Sequence, residues 1–145
     1  EASPTSVAAL ALALERGDAE ARRSTLSAVG SGATEALTPQ VARLLARDDS
    51  WAVRVRAAET LSVLGALPSS RRAALAALEE AATSDRFALV REASLRSLWP
   101  TDPDHAAPTL RKAAEGDAEA RLRELAKELL GTPPPRSPAV GASSR

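Results

Sequence analysis

The only histidine in the chain is the first place to look for chemistry. His105 lies in the segment TDPDHAAP, close to Asp102 and Asp104. Carboxylates beside an imidazole are able to hold a divalent metal ion or to form an acid–base pair. A single histidine without any cysteine supplies too few ligands for a zinc site, and an aspartate that precedes a helix usually caps it. We therefore interpret these aspartates as helix caps and expect neither a metal site nor a cofactor.

Other catalytic patterns are also missing from the sequence. The absence of cysteine excludes thiolate nucleophiles and disulfides. The GSG segment at residues 30–32 lacks the spacing of a phosphate-binding loop, and we interpret it as a joint between two helices. No serine has a recognisable histidine and carboxylate partner in a triad pattern. We therefore predict a protein that is not an enzyme.

Composition and charge point to an all-α protein that binds neither nucleic acid nor membrane. The chain has 19 basic and 19 acidic residues and no net charge, whereas nucleic-acid binding usually needs an excess of basic residues. No stretch approaches the roughly 20 apolar residues of a membrane helix. Alanine, leucine, arginine and glutamate dominate, while tyrosine is absent and phenylalanine occurs once. These residues favour helices over strands.

A repeated pattern divides the chain into units. Three segments, DDSWAVR, DRFALVR and DAEARLR, each consist of Asp, four residues, an aliphatic residue and Arg, and each lies between two apolar helical stretches. The hexapeptide GDAEAR occurs at residues 17–22 and 116–121, and its first copy marks a fourth, looser unit. The turn aspartates at 18, 48, 85 and 117 are 30, 37 and 32 residues apart. Such periods predict an α-solenoid of helical pairs.

The second unit shows how one pair would pack. Val53, Ala57, Leu61 and Leu64 fall on one face of a helix, and this apolar stripe needs a neighbouring pair to cover it. We expect Gly65 to end that helix in a left-handed conformation. In the looser first unit we place Asp18 in register with the other turn aspartates, followed by Arg23 and Ser24 where an aliphatic residue and Arg would stand.

Helical pairs with Asp in the turn and Val-Arg opening the second helix resemble HEAT repeats, in particular the short bacterial HEAT-like form also found in phycobilin lyases. The resemblance implies a right-handed α-solenoid of about four pairs within residues 1–131, at about 5–30, 36–65, 70–100 and 105–131. It also implies a structural ladder between successive repeats, formed by Asp48, Arg54, Asp85, Arg91, Asp117 and Arg123.

The segment after the last pair differs in composition. Residues 132–145, TPPPRSPAVGASSR, are rich in proline and serine and contain a PxxP pattern at Pro135–Pro138. We expect an extended, disordered tail or linker. The PxxP pattern is able to dock on a polyproline-binding domain, although most proline-rich segments are linkers.

The few aromatic residues are candidates for binding a partner. Trp51 and Phe87 lie in the turns that open the second helices of adjacent repeats, where they either plug the turn or form an exposed pair. Trp99 lies opposite the apolar stripe of its helix, so that it either faces a partner or shields the helix end beneath an expected loop at 100–108. The neighbouring outward positions on these second helices are Val55, Glu59, Glu92 and Arg96.

Taken together, the sequence and the resemblance predict a non-catalytic scaffold that binds a protein or peptide on the face of the second helices, the concave side of a solenoid. We expect a monomer or a part of a longer chain. Two alternatives remain at this point. One is a HEAT-like protein that binds nucleic acid or repairs DNA bases, and the other is a subunit similar to a chromophore lyase.

Overall fold

The computed structural model describes residues 3–133, and within this range the chain folds into eight α-helices without any strand. A short 3₁₀ turn at Glu35–Leu37 precedes the third helix. No helix of the described range is long and apolar enough to cross a membrane. The helices are α1 (Pro4–Arg16), α2 (Ala19–Ser31), α3 (Thr38–Arg47), α4 (Trp51–Leu64), α5 (Pro68–Ser84), α6 (Ala88–Thr101), α7 (Pro103–Gly116) and α8 (Ala120–Gly131).

The helices form four antiparallel pairs that stack in chain order. We call α1, α3, α5 and α7 the A helices, and α2, α4, α6 and α8 the B helices. The last three pairs pack against one another through both layers, since α3 contacts α5 and α5 contacts α7, while α4 contacts α6 and α6 contacts α8. The first pair packs against the second mainly through α2 and α4, and α1 contacts the short 3₁₀ turn. The result is the α-solenoid that the repeat period predicts. The predicted tail lies outside the described residues from position 134 onwards.

Short polar side chains start several of these helices. Asp18 accepts a hydrogen bond from the Ala21 amide at 2.8 Å, and Asp102 accepts one from the His105 amide at 3.1 Å. Each satisfies an amide that has no partner inside its own helix. Asp102 is thus a helix cap, and the imidazole of His105 pairs instead with Glu79, with 2.6 Å between Nε2 and Oε1. Among residues 3–133 no cluster of potential ligands is able to hold a metal ion.

The apolar stripe of α4 lies in the core. Val53, Ala57, Leu61 and Leu64 are all fully buried. Leucines and valines of the neighbouring helices surround them in one continuous cluster. The helical register read from the sequence is therefore correct for this unit, and the stripe is covered by neighbouring pairs as the solenoid requires.

Gly65 follows α4 for a different reason from the one expected. Its φ of −66° and ψ of −15° are right-handed, so the expectation of a left-handed helix end was wrong. A Cβ at this position would lie 2.8 Å from the Thr101 methyl carbon and 3.3 Å from Cβ of Ala74. Glycine is needed here because the end of α4 closely approaches α5 and α6.

One arginine near the start of each of α2, α4 and α6 bridges two repeats. Arg54 donates from Nε and Nη2 to the Asp85 carboxylate of the next unit, at 2.9 Å and 3.3 Å. Its Nη1 donates to the Asp48 carbonyl of its own turn at 2.8 Å. The two charged side chains are only 5% and 9% exposed. The guanidinium therefore ties the turn of one repeat to the turn of the next.

The same geometry occurs on either side of this pair. Arg22 forms a two-pronged contact with Asp48, at 2.8 Å and 3.0 Å, and Arg91 contacts Asp117 at 3.1 Å with both prongs. Arg123 donates to the Asp117 carbonyl, and no carboxylate contacts it within the described residues. The aspartates at 48, 85 and 117 follow the ends of successive A helices and lie along a single edge, which we call the ladder edge.

The first unit joins this ladder in a register that differs from the predicted one. Arg22, rather than Ser24, is the bridging residue, and its Nη1 donates to the Gly17 carbonyl. The first turn contains one residue fewer than the others, so Gly17 takes the place of the ladder aspartate and Asp18 becomes the cap of α2. The two GDAEAR copies are thus used in different registers. The placement of Asp18 among the ladder aspartates was wrong.

Each ladder aspartate accepts hydrogen bonds both from an arginine and from a backbone amide of its own turn. Asp117 Oδ1 also accepts the Glu119 amide at 2.8 Å, so the carboxylate binds both the preceding arginine and its own turn. Burial alone would raise the pKa of Asp117, but the hydrogen bonds from Arg91 and the Glu119 amide, with the charges of Arg91 and Arg123, hold this pKa below its ordinary value. The folded state therefore favours the ionised carboxylate.

Truncation of Leu61 tests the register of the core. Leu61→Ala removes a fully buried side chain, and we expect the free energy of unfolding to fall by ~2–5 kcal/mol. Urea denaturation followed by circular dichroism measures this loss. The exposed Val63 on the same helix provides the control, since Val63→Ala should cost much less; equal losses would mean that the register is wrong.

Removal of the ladder arginine should destabilise the stack strongly. Arg54→Ala leaves the buried Asp85 carboxylate without its cation, and we expect a loss of about 3–5 kcal/mol. Arg123→Ala is the matched control because that guanidinium contacts only a backbone carbonyl in the described range, so its loss should be about 1 kcal/mol. Chemical denaturation of both variants gives the comparison, and a smaller loss for Arg54→Ala would contradict the role of the ladder.

The lowered pKa of Asp117 predicts a specific acid sensitivity. As the pH falls below the ordinary value of 3.8, the unfolded chain takes up a proton at Asp117 before the folded chain does. The contribution of Asp117 to the free energy of unfolding is therefore complete above that pH. It is lost as the pH falls towards the lowered pKa that Asp117 has in the folded state. Asp117→Asn should be less stable at neutral pH and should lose less stability on acidification. Parallel acid-side slopes of wild type and variant in urea titrations would refute this assignment.

Candidate functional site

An open groove with a volume of about 600 Å³ lies between the B helices α4 and α6. It runs along the two helices, from their first turns towards their carboxyl ends. We call it the α4–α6 groove. Its lining residues are Trp51, Val55, Glu59, Ser62, Leu89, Glu92, Ala93, Arg96 and Ser97.

The end of the groove near the ladder edge is apolar. Trp51 is the first residue of α4 and Leu89 the second residue of α6. Their side chains are 43% and 46% exposed, respectively. Val55 and Ala93 are partly buried against the core and continue the apolar lining. Two large apolar side chains exposed beside one concave surface are typical of a binding site.

The opposite end of the groove is polar and carries both charges. Arg96 and Glu59 are more than half exposed, and Arg96 lies 3.4 Å from Glu92. Glu92 also accepts a hydrogen bond from Arg121 of α8 at 2.6 Å. This bond is the largest influence on the pKa of Glu92 and, against the opposing effect of burial, lowers that pKa. Glu92 is thus an ionised, fixed member of the lining.

The structure brings most of the sequence-derived candidates together. Trp51, Val55, Glu59, Glu92 and Arg96 all line the α4–α6 groove. Leu89 was missed by the sequence analysis. Its equivalents in the other units, counted from the start of each B helix, are Glu20, Ala52 and Arg121. An apolar side chain at a position that is otherwise small or charged was the signal that could have identified it.

Trp99 lies in the core and does not line the groove. Its side chain is only 9% exposed, so its inclusion among the partner-binding residues was wrong. The expected loop at 100–108 is mostly helical, because α6 continues through Pro100 and a single residue, Asp102, separates it from α7. This tight connection turns α7 back against the end of α6. The indole Nε1 is buried without a hydrogen-bond partner in the described part of the chain.

Phe87 is exposed but lies on the ladder edge. It is the residue before α6, and the centroid of its ring is 5.4 Å from the guanidinium carbon of Arg54 and 5.7 Å from that of Arg86. It does not line the groove. Phe87 corresponds in position to Ser50, whereas Trp51 corresponds to Ala88. Trp51 and Phe87 therefore occupy different positions in their repeats, and only Trp51 lines the groove.

Comparison with known proteins identifies the family. The family model described as HEAT repeats matches residues 7–99, which is more than half of the chain and includes all residues that line the groove. No curated protein and no solved structure matches the sequence. The matched region extends from α1 to the last turns of α6, and its helical pairs stack in chain order. The chain belongs to the HEAT-repeat family.

Proposed function

We propose that this chain is a non-catalytic scaffold that binds a protein or peptide in the α4–α6 groove. HEAT repeats are commonly scaffolds for protein interaction. The observation that carries the proposal is the exposure of Trp51 and Leu89 at one end of a groove whose other end is charged. Large apolar anchors beside polar groups are the usual composition of an interaction hot spot.

The charges of the groove favour a peptide over a phosphate backbone. Glu59 and Glu92 lie in the lining, and Arg96 and Arg121 are both engaged with Glu92. A phosphate backbone requires cations that are available to replace its counterions, whereas both of these arginines already pair with Glu92. A peptide with one apolar side chain and one charged side chain meets a complementary surface.

The ladder supports this function by fixing the groove before a partner arrives. Arg54 of α4 is held on Asp85, which lies in the turn between α5 and α6. The two helices that form the groove are therefore joined at the end where Trp51 and Leu89 lie. A pre-ordered surface loses less conformational entropy on binding than a surface that must first assemble.

The two alternative functions make separate predictions. Nucleic-acid binding would give an affinity that falls steeply with salt concentration. Activity as a chromophore lyase subunit would appear as bilin transfer in a reconstituted reaction. Either result, with groove variants that bind peptide normally, would contradict the proposal.

A peptide library selected on the full chain tests the groove directly. We expect the selected peptides to share a large apolar residue. Trp51→Ala and Leu89→Ala should each weaken the binding of a selected peptide about 30-fold, equivalent to roughly 2 kcal/mol, because each removes an exposed anchor of the groove. Fluorescence anisotropy with a labelled peptide measures the dissociation constants.

Phe87→Ala provides the matched control. Phe87 is 39% exposed, close to the 43% of Trp51, but lies outside the groove. The affinity of this variant should stay within about twofold of that of the wild type. If Phe87→Ala weakens binding as much as Trp51→Ala does, the binding surface is the ladder edge and the proposed groove is wrong.

A further inference from the structure

The polar end of the α4–α6 groove has more positive than negative charge. Its two carboxylates are paired with three arginines, since Glu59 contacts Arg56 at 3.6 Å, while Glu92 contacts Arg96 at 3.4 Å and Arg121 at 2.6 Å. Each carboxylate balances the charge of one guanidinium. One positive charge is therefore left over in this group of described residues.

Arg96 carries this surplus charge at the surface of the groove. The Glu92 carboxylate is closer to Arg121 than to Arg96, and Arg121 has the larger influence on its lowered pKa. Only Nη2 of Arg96 donates to Glu92, and the other N–H groups of this guanidinium have no acceptor within the described residues. The side chain of Arg96 is 58% exposed and lines the groove, which neither Arg56 nor Arg121 does.

One surplus cation suits a single carboxylate and not a phosphate backbone. Nucleic acid presents a succession of phosphates, and its affinity depends on how many of them are neutralised by cations. The groove offers one such cation, because the charges of the other two arginines are balanced by Glu59 and Glu92. A guanidinium forms short, charge-assisted hydrogen bonds with a carboxylate. A ligand with one acidic side chain at this end therefore meets the complementary charge.

The distance from this cation to the apolar end of the groove defines the ligand further. Arg96 follows Leu89 by seven residues on α6, which corresponds to two turns and about 10 Å along the helix. A ligand that contacts both side chains needs a carboxylate about 10 Å from a large apolar group. Residues seven apart in a helix, or three apart in a polyproline segment, meet this requirement on one side of the chain.

We propose that the ligand of the α4–α6 groove is an acidic peptide, in which an aspartate or glutamate binds Arg96 and a large apolar side chain binds at Trp51 and Leu89. Arg96 then determines specificity, because it attracts a carboxylate and repels a lysine or arginine at the same position of the peptide. This inference rests on the proposed function, since it names the chemistry of the peptide that the groove binds.

Substitution of the acidic residue in a peptide selected on the full chain tests this inference. Fluorescence anisotropy should show binding weakened about fivefold when glutamine replaces that residue and roughly tenfold when lysine does. With Arg96→Gln, the acidic and glutamine peptides should bind within about twofold of each other. With Arg96→Glu, the lysine peptide should bind most tightly of the three, because the attraction is reversed.

Lys127→Glu is the matched control for this charge reversal. The side chain of Lys127 is 58% exposed, as that of Arg96 is, and it also contacts a glutamate of its own helix. It lies on α8 and does not line the groove. The order of affinity of the three peptides should therefore stay that of the wild type. If Lys127→Glu reverses the order as Arg96→Glu does, the preference reflects the net charge of the protein and the inference is wrong.

The remaining results separate this inference from the proposed function. Binding that is weakened by Trp51→Ala but is indifferent to the charge of the peptide, or is tightest for lysine, would overturn the role of Arg96 and leave the groove as the binding surface. Binding that neither Trp51→Ala nor Leu89→Ala weakens would overturn both proposals, because the peptide would then lie outside the groove.

Discussion

The buried contact between an arginine of one repeat and an aspartate of the next is the constraint on which the rest of the structure depends. Arg54 and Asp85 are almost completely removed from water, and each satisfies backbone groups as well as its partner. A charge so buried is tolerated only when its hydrogen bonds are complete. This requirement fixes the position of each turn relative to the next, whereas apolar packing alone would allow neighbouring pairs to slide. Repetition of the contact at Arg22 and Arg91 extends the same register along the stack.

The ladder also determines where the chain is able to bind. Because it joins the starts of α4 and α6, it holds Trp51 and Leu89 at one end of the α4–α6 groove. The ladder edge and the groove take side chains from the same short segments, but the ladder side chains are buried and the groove side chains are exposed. Asp85 and Arg54 are buried and structural, while Leu89, one turn farther along, is exposed and available to a ligand. Phe87 lies between them and covers the guanidinium of Arg54.

Much of this architecture was predictable from the sequence, since it follows from local periodicity. The stripe that includes Leu61 repeats with the period of a helix, and the turn aspartates recur at the spacing of a helical pair, so both the core register and the ladder edge could be read directly. The role of Arg22 in the ladder could not be predicted in this way. The first turn is one residue shorter than the others, and the identical GDAEAR strings conceal that difference. Burial of Trp99 is a tertiary property, because it depends on the other residues of the core cluster that surround it in the fold. Leu89 belongs to no repeated pattern, since the equivalent residues Glu20, Ala52 and Arg121 are small or charged, and only its departure from them marks it.

A double-mutant cycle between Arg54 and Asp85 tests the central claim most directly. The unfolding free energies of Arg54→Leu, Asp85→Leu and the double variant, measured in urea against the wild type, give the energy of interaction between the two side chains. If the ladder fixes the stack, the double variant is more stable than the sum of the single losses implies, by about 1.5–3 kcal/mol, since removal of both charges leaves none buried alone. Losses that add to within about 0.5 kcal/mol would contradict the account, because the two residues would then stabilise the protein independently.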